Sequence, residues 1–248
     1  MLRTSSDPIS HYASAATLIS REFGNVEVHD VRSGSRVTDV TRPELAVLVR
    51  PEHTAIVTQE CQGGVVGAAA GLAELAEEAN REAIPNVARL LPIARAAGVR
   101  VVHCLFQRRA DGLGANHNAR LFAGMRGLDV DMTPDSSGAS LVPELGPEPT
   151  DMILTRWHGV GPMGGTDLDA VLRNLGVTTI VATGVSLNIA IPSLVMDAVN
   201  AGYQVVLARD AVAGVPADYA RSMIDHTLCF LATITTTDSL IQAWADIN

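Results

Sequence analysis

The chain has 248 residues, a formal net charge of −9 and 47% hydrophobic residues, which is enough to bury one large core. The acidic balance argues against a nucleic-acid partner, and the lack of an apolar stretch of about 18 residues argues against a membrane span. All 18 basic residues are arginine, so no lysine is present to act as a base or to form a Schiff base.

The first 50 residues are predicted to form an N-terminal extension. Residues Ile9 to Phe23 are compatible with a helix, and residues Val26 to Val31 and Arg36 to Val40 alternate as a short hairpin does. We expect this hairpin or arm to pack on the domain or at a subunit interface. One domain is predicted to follow over residues 51–248.

Short apolar segments alternate with helical segments from Thr54 onward. Gly98 is expected to end the first long helix, and Thr166 and Asp169 are spaced like a helix-capping box. Apolar strands separated by helices predict an α/β fold, a three-layer α/β/α sandwich with a mostly parallel, Rossmann-like sheet of about six strands. The predicted strands are 55–58, 99–106, 152–154, 177–183, 203–208 and 232–235, and further helices are predicted over 188–201 and 217–231.

Residues 107–150 form a long excursion rich in Gly, Pro and Asp. Loops of that length inside a compact domain usually cover a functional site. The excursion begins with Arg108 and Arg109, the only adjacent basic pair, which is interpreted as a solvated loop.

The fold class also predicts where a ligand binds. In an open parallel sheet, ligands bind outside the carboxyl ends of the strands, near the point where the strand order reverses. The loops that qualify by position are 59–64, 156–162 and 184–190.

These three loops resemble those of isochorismatase-like hydrolases, a superfamily of cysteine hydrolases. The family has an Asp-Met-Gln segment in the first loop, a lysine in the second and a nucleophilic cysteine in the third. Here Glu60, Arg156 and Ala190 stand at those positions, so the chain resembles a diverged branch that lacks the usual triad. The resemblance covers about residues 52 to 240 and implies a non-proline cis peptide at Val185–Ser186.

The three substituted positions suggest a changed chemistry. An alanine methyl cannot attack a carbonyl, so Ala190 marks the nucleophile position without being reactive. Glu60 is a candidate general acid or base, although an ion pair with Arg156 that seals the pocket remains an alternative. Arg156 does not exchange protons at working pH, but it is suited to clamp a substrate carboxylate or to compensate the charge of Glu60.

Other residues of the three loops are candidates for substrate contact. Trp157 is expected to be a pocket wall or a packing residue, and His158 to be a ligand contact or simply solvated. Asn188 is expected either to contact ligand or to cap the following helix, near free backbone N–H groups of Ile189 and Ala190. The full set of substrate-binding candidates is Gln62, Trp157, His158, Ser186, Asn188 and Ile189.

The remaining histidines and cysteines suggest no further site. His103 lies in an apolar strand and is expected to be a core residue, and His117 has no second ligand at a useful spacing, so no zinc and no cofactor are predicted. Cys61, Cys104 and Cys229 lack CxxC spacing and are expected to be reduced thiols. With no apolar signal segment at the N-terminus, these thiols indicate a cytoplasmic protein.

Three functional hypotheses follow. The first is a hydrolase that acts on a small carboxylated metabolite by non-covalent acid/base chemistry, for example ether or enol-ether cleavage. The second is a catalytically inactive ligand-binding or assembly protein, and the third is an amidase in which Ala190 has replaced the cysteine. The resemblance and the N-terminal arm also imply a homo-oligomer, a dimer or tetramer.

Overall fold

The computed structural model describes residues 28–29, 36–37 and 44–245, and it divides the chain into two units between Glu44 and Leu45. In the first unit, strand β1 (Val28–His29) pairs in antiparallel fashion with β2 (Arg36–Val37), as the predicted hairpin requires. The helix predicted over residues 9–23 lies outside the described residues.

The second unit begins six residues earlier than the predicted domain. Helix α1 (Leu45–Leu48) contacts the C-terminal helix of the same unit, and the Trp244 indole donates a hydrogen bond to the Val49 carbonyl at 2.7 Å. These contacts bring residues 45–50 into the domain rather than into the extension.

A parallel six-stranded sheet forms the centre of the second unit. Its order is β5-β4-β3-β6-β7-β8. Strands β4 and β5 therefore lie on one side of β3, and the connection from β5 to β6 crosses to the other side, where β6, β7 and β8 follow. All six predicted strands are confirmed, although several extend further than the apolar pattern indicated. Their bounds are β3 Thr54–Gln59, β4 Arg100–Phe106, β5 Met152–Arg156, β6 Thr179–Val185, β7 Gln204–Ala213 and β8 Thr233–Thr235.

Helices cover both faces of this sheet. Gly98 ends the longest described helix in a left-handed conformation with φ of 86°, as its position predicts. A π-helical turn over Ala79–Ala83 leads into that helix. The helices after α1 are α2 Gly63–Val66, α3 Ala73–Glu78, α4 Ile84–Ala97, α5 Arg120–Arg126, α6 Leu168–Asn174, α7 Ala190–Asn200, α8 Ala217–His226 and α9 Thr237–Ala245.

The two central strands explain the apolar sequence pattern. Every residue of β3 and β6 is buried, because helices pack on both sides of them. Buried side chains form one apolar cluster on each face, which completes the predicted three-layer sandwich. No helix among the described residues is both long and apolar enough to cross a membrane.

The excursion over residues 107–150 is attached to the sheet by Gln62. The Gln62 amide donates to the carbonyl of Phe106 at 2.7 Å and to that of Gly138 at 3.2 Å, and its oxygen accepts from the Phe106 N–H at 2.7 Å. Gln62 also bridges to Leu141. The excursion is therefore held over the carboxyl end of β3.

Candidate active site

A cavity of about 120 Å³ lies at the carboxyl ends of the strands, where the strand order reverses between β3 and β6. Glu60, Arg156, Ser186, Ile189 and Ala190 all border it, so the structure brings together all three substituted positions. The excursion supplies much of the remaining wall, through Arg108, Leu121, Phe122, Met125, Leu128, Val130 and Met132.

Glu60 follows the last residue of β3 and has an unusual backbone. Its φ of 53° lies in the left-handed region, which non-glycine residues rarely occupy. The Glu60 N–H donates to the Cys104 carbonyl at 2.9 Å, which fixes this turn against β4. Conformations of this kind concentrate at functional sites, where the surrounding structure enforces them.

The carboxylate of Glu60 uses one oxygen for its protein contacts. Oε1 accepts a hydrogen bond from the Gln59 amide at 3.3 Å and forms an ion pair with Arg156. Both hydrogen bonds that this carboxylate accepts from described residues go to Oε1, and the side chain is 18% exposed. Oε2 is thus the oxygen left for a substrate or water.

Arg156 is the last residue of β5 and is only 4% exposed. Its Nη2 contacts Glu60 and lies 3.4 Å from the Val160 carbonyl, while its Nε and Nη1 find no hydrogen-bond partner within the described residues. Leaving a buried donor unpaired costs about 1–3 kcal/mol, and more for a charged group. An anion that binds Arg156 would remove this penalty.

The turn after β6 places Ala190 on the cavity wall. The Val185–Ser186 peptide is cis, as the resemblance implies, and Ala190 begins helix α7. The Ile189 N–H donates to the Ser186 carbonyl at 3.2 Å, whereas the Ala190 N–H has no partner among the described residues. The expected pair of free donors is therefore wrong, because only the Ala190 amide remains for a ligand.

Two predicted contact residues have structural roles instead. The side chain of Asn188 donates to the Val215 carbonyl and accepts from the Val215 N–H at 3.0 Å, so it holds the loop after β7. It does not cap α7, which has no side-chain cap. Asn188 and the fully buried Gln62 both lie outside the cavity lining, because their polar atoms are engaged with backbone.

Trp157 and His158 border a smaller recess beside the cavity rather than the cavity itself. Trp157 is 40% exposed, and the neighbouring Gly159 N–H donates to the side chain of Asn116 at 2.7 Å. The recess shares Phe106, Arg108, Phe122, Met125 and Gly159 with the cavity wall. A ligand that extends out of the cavity over this wall would reach Trp157 and His158.

Cys61, after strand β3, and Cys104, on strand β4, are buried free thiols. Burial raises the pKa of Cys61 to about 12, with a further contribution from the charge of Glu60, and the Cys61 thiol donates toward the Gln59 carbonyl. Burial likewise raises the pKa of Cys104 to about 12. Since the thiolate is the reactive species, neither group is a nucleophile near neutral pH.

His103 belongs to a buried network, as its apolar strand predicts. Its Nε2 donates to Asp151 at 3.3 Å, and its Nδ1 lies 2.8 Å from the hydroxyl of Thr58. Asp151 is also paired with Arg95 at 2.6 Å. Among the described residues, no group of three or more His, Cys, Asp or Glu side chains is placed to hold a metal ion.

Arg108 is the site residue that the sequence interpretation missed. Arg109 pairs with exposed Asp111 as a solvated residue does, but Arg108 turns inward and borders the cavity. Its Nη1 and Nη2 donate to the carbonyls of Met125 and Val130 at 3.1 and 3.3 Å. Arg108 lies two residues beyond the carboxyl end of β4, and that position alone could have identified it as a candidate site residue.

Comparisons with known proteins agree with this fold. Residues 54–239 match the model of the isochorismatase domain. The chain is 29% identical over 197 residues to ureidoacrylate amidohydrolase RutB of Rhizobium rhizogenes. The aligned region covers 71% of this chain and 76% of that protein.

Solved structures show the same fold. An isochorismatase family protein from Burkholderia thailandensis is 26% identical with a TM-score of 0.63, covering 78% of this chain and 96% of that chain. A cysteine hydrolase from Pseudomonas syringae pv. phaseolicola has a TM-score of 0.69 at 24% identity, covering 81% of this chain and 96% of that chain.

Proposed function

The chain belongs to the isochorismatase family, and on that premise we propose that it is a hydrolase of a small carboxylated molecule that works without a cysteine nucleophile. The observation that carries the proposal is the Glu60–Arg156 pair on the wall of a cavity where position 190 is alanine. Relatives named as ureidoacrylate amidohydrolases support a hydrolase at the level of the family, and the carboxylated substrate is part of the proposal.

Arg156 is proposed to anchor the substrate. Its unpartnered Nη1 would donate a charge-assisted hydrogen bond to one oxygen of the substrate carboxylate. The free Ala190 N–H, at the positive end of the α7 dipole, would donate to a second substrate oxygen. These contacts would hold the scissile bond beside Oε2 of Glu60.

Glu60 is proposed to move the proton. The proposal requires Glu60 to carry a proton when the substrate carboxylate contacts Arg156. For an enol ether, Glu60 would give its proton to the vinyl carbon, and water would add to the resulting cation. The Glu60 carboxylate would then take the spare proton of that water, and the hemiketal would separate into an alcohol and a carbonyl compound.

The test is the Glu60→Gln substitution, assayed on carboxylated enol ethers, ethers and amides. We expect hydrolysis to fall by about 10²–10⁴-fold, the usual contribution of a general acid or base, because the amide cannot exchange a proton. The control is Glu52→Gln, at an exposed residue outside the cavity. Wild-type turnover in the Glu60→Gln protein would refute the proposal.

A second candidate is a ligand-binding protein without turnover. The direct ion pair between Glu60 and Arg156 favours it, because each group already neutralises the other. This candidate is supported if carboxylated molecules bind and raise the melting temperature while none is hydrolysed. The homo-oligomer of two or four copies, the cytoplasmic location and the independence of a cofactor stay predictions, of which the first is checked by size-exclusion chromatography with light scattering.

A further inference from the structure

We propose that the ligand of this site is an amphipathic monoanion, a carboxylate attached to an apolar body about the size of one six-membered ring. The inference rests on the proposed function for the place of the reacting bond and goes beyond it by naming the substrate class. Two independent features carry it, the apolar wall that the excursion supplies and the uncompensated charge of Arg108.

The wall opposite the sheet is hydrocarbon. Leu121, Phe122 and Met125 come from helix α5, and Leu128, Val130 and Met132 come from the segment that follows it. An apolar cavity of roughly 150 Å³ is known to hold a benzene ring, and this cavity of about 120 Å³ is comparable. A small polar metabolite would leave this surface without a partner, whereas a ring or branched alkyl group would cover it.

The charges on the lining do not cancel. Arg156 is neutralised by Glu60, but the two hydrogen bonds of Arg108 go to backbone carbonyls, and no ion pair of Arg108 is present within the described ranges. Asp131 interacts electrostatically with Arg108, but it forms no ion pair with it and is not one of the residues that border the cavity. With Glu60 ionised and paired with Arg156, the lining therefore carries one excess positive charge.

An excess charge beside an apolar wall selects a particular ligand. Charge interactions are stronger beside low-dielectric groups than in water, so one negative charge on the ligand is favoured. Arg156 offers the donor that contacts the carboxylate, and Arg108 supplies the charge that makes an anion preferable to a neutral molecule. Arg108 is thus proposed as a residue that determines specificity.

The ligand class is tested by calorimetric titration of the full chain with three probes: 3-phenylpropionate, propionate and 3-phenylpropionamide. Each buried methylene is worth about fourfold in affinity, so we expect 3-phenylpropionate to bind at least tenfold more tightly than propionate. We also expect it to bind at least tenfold more tightly than the neutral amide. Equal binding of the acid and the amide, or of the two acids, would overturn the proposal.

The role of Arg108 is tested with Arg108→Met, which keeps an apolar stem and removes the charge. We expect at least a tenfold loss of affinity for 3-phenylpropionate and no change for the amide, while Arg109→Met, at the adjacent solvated residue, leaves both unchanged. An unchanged affinity for the acid in Arg108→Met would remove Arg108 from the proposal.

A second variant keeps the test valid if Arg108→Met unfolds. Phe122→Ala, at a half-buried residue, should lower the affinity for 3-phenylpropionate but not the affinity for propionate. The control is Leu113→Ala, at an exposed residue of the same excursion. If the three probes do not bind in the expected order but the protein hydrolyses a small polar acid in a reaction that needs Glu60, the ligand class alone is refuted. Success of the series with no Glu60-dependent hydrolysis would refute the proposed reaction alone.

Discussion

At position 190 the cavity wall presents a methyl group where the family nucleophile would stand, and the neighbouring positions differ as well. Ala190 is buried at the start of α7, and the charged residues that border the same cavity are Glu60, Arg108 and Arg156. An arginine does not take up or release a proton at working pH, so it cannot replace a lysine that does. We propose that Glu60, Arg156 and Ala190 together determine which reactions the cavity permits.

This reasoning predicts the result of restoring the sulfur. Ala190→Cys alone should show no amidase activity on ureido or carbamoyl substrates, because Arg156 and the longer Glu60 remain. The triple variant Glu60→Asp, Arg156→Lys and Ala190→Cys should gain it, as measured by release of ammonia. Amidase activity in the single variant would show that the other two changes are neutral.

The thiols give a second residue-scale prediction. Cys61 and Cys104 are buried with pKa values raised to about 12, whereas Cys229 is partly exposed. At pH 8, iodoacetamide should therefore label the native protein once, and at Cys229, as read by intact mass and peptide mapping. Labelling of Cys61 that is blocked by a bound carboxylate would instead identify it as a nucleophile.

At the scale of elements, a buried hydrogen-bond network joins strand β3 to strand β4 and to the segment before β5. His103 on β4 binds Thr58 on β3 and Asp151 ahead of β5, and Asp151 binds Arg95 on α4. Burial lowers the pKa of His103 although Asp151 raises it in part. Burial alone would raise the pKa of Asp151, but hydrogen bonds from Arg95 and the Glu148 N–H outweigh it and lower that pKa.

The lowered pKa of His103 predicts sensitivity to acid. Below about pH 6.5 the unfolded chain binds a proton at this histidine that the folded chain does not, so stability falls as pH decreases. The slope from this group approaches about 1.4 kcal/mol per pH unit. The lowered pKa of Asp151 places its titration below the pH range in which His103 acts. Urea unfolding between pH 8 and pH 5 should show a shallower loss in His103→Gln than in wild type or in His117→Gln.

At the scale of the whole molecule, the C-terminal helix closes the domain against its beginning. Trp244 on α9 is fully buried and donates to Val49, which joins residues 195 positions apart in sequence. Helix α9 also contacts α4 and β7, so the last helix connects several elements of the domain. The domain of residues 45–248 thereby depends on a residue near its end.

The expected consequence concerns global stability. Trp244→Ala should lower the free energy of unfolding by about 3–5 kcal/mol, because it removes a buried aromatic side chain and leaves the Val49 carbonyl without its donor. Trp157→Phe, at the half-exposed tryptophan, should change it by less than about 0.5 kcal/mol. Equal melting temperatures for Trp244→Ala and wild type would contradict this account.

The sequence by itself determined the parallel sheet and the three loops that border the cavity, whereas the order of the strands came from the structure. Strands buried on both faces need continuous apolar runs, and such runs are visible without coordinates. The lack of sulfur at position 190 was equally visible. The ion pair of Glu60 with Arg156 was one of two alternatives, because both residues stand at the carboxyl ends of parallel strands.

Only the tertiary structure decided where the polar side chains of the loops point. Arg108 and Arg109 are adjacent in sequence, yet one borders the cavity and the other is solvated. Asn188 binds the backbone of Val215, 27 residues away, rather than its own helix. Loop side chains take their partners from segments distant in sequence, and no local periodicity encodes which buried backbone group will need a hydrogen bond once the chain has closed.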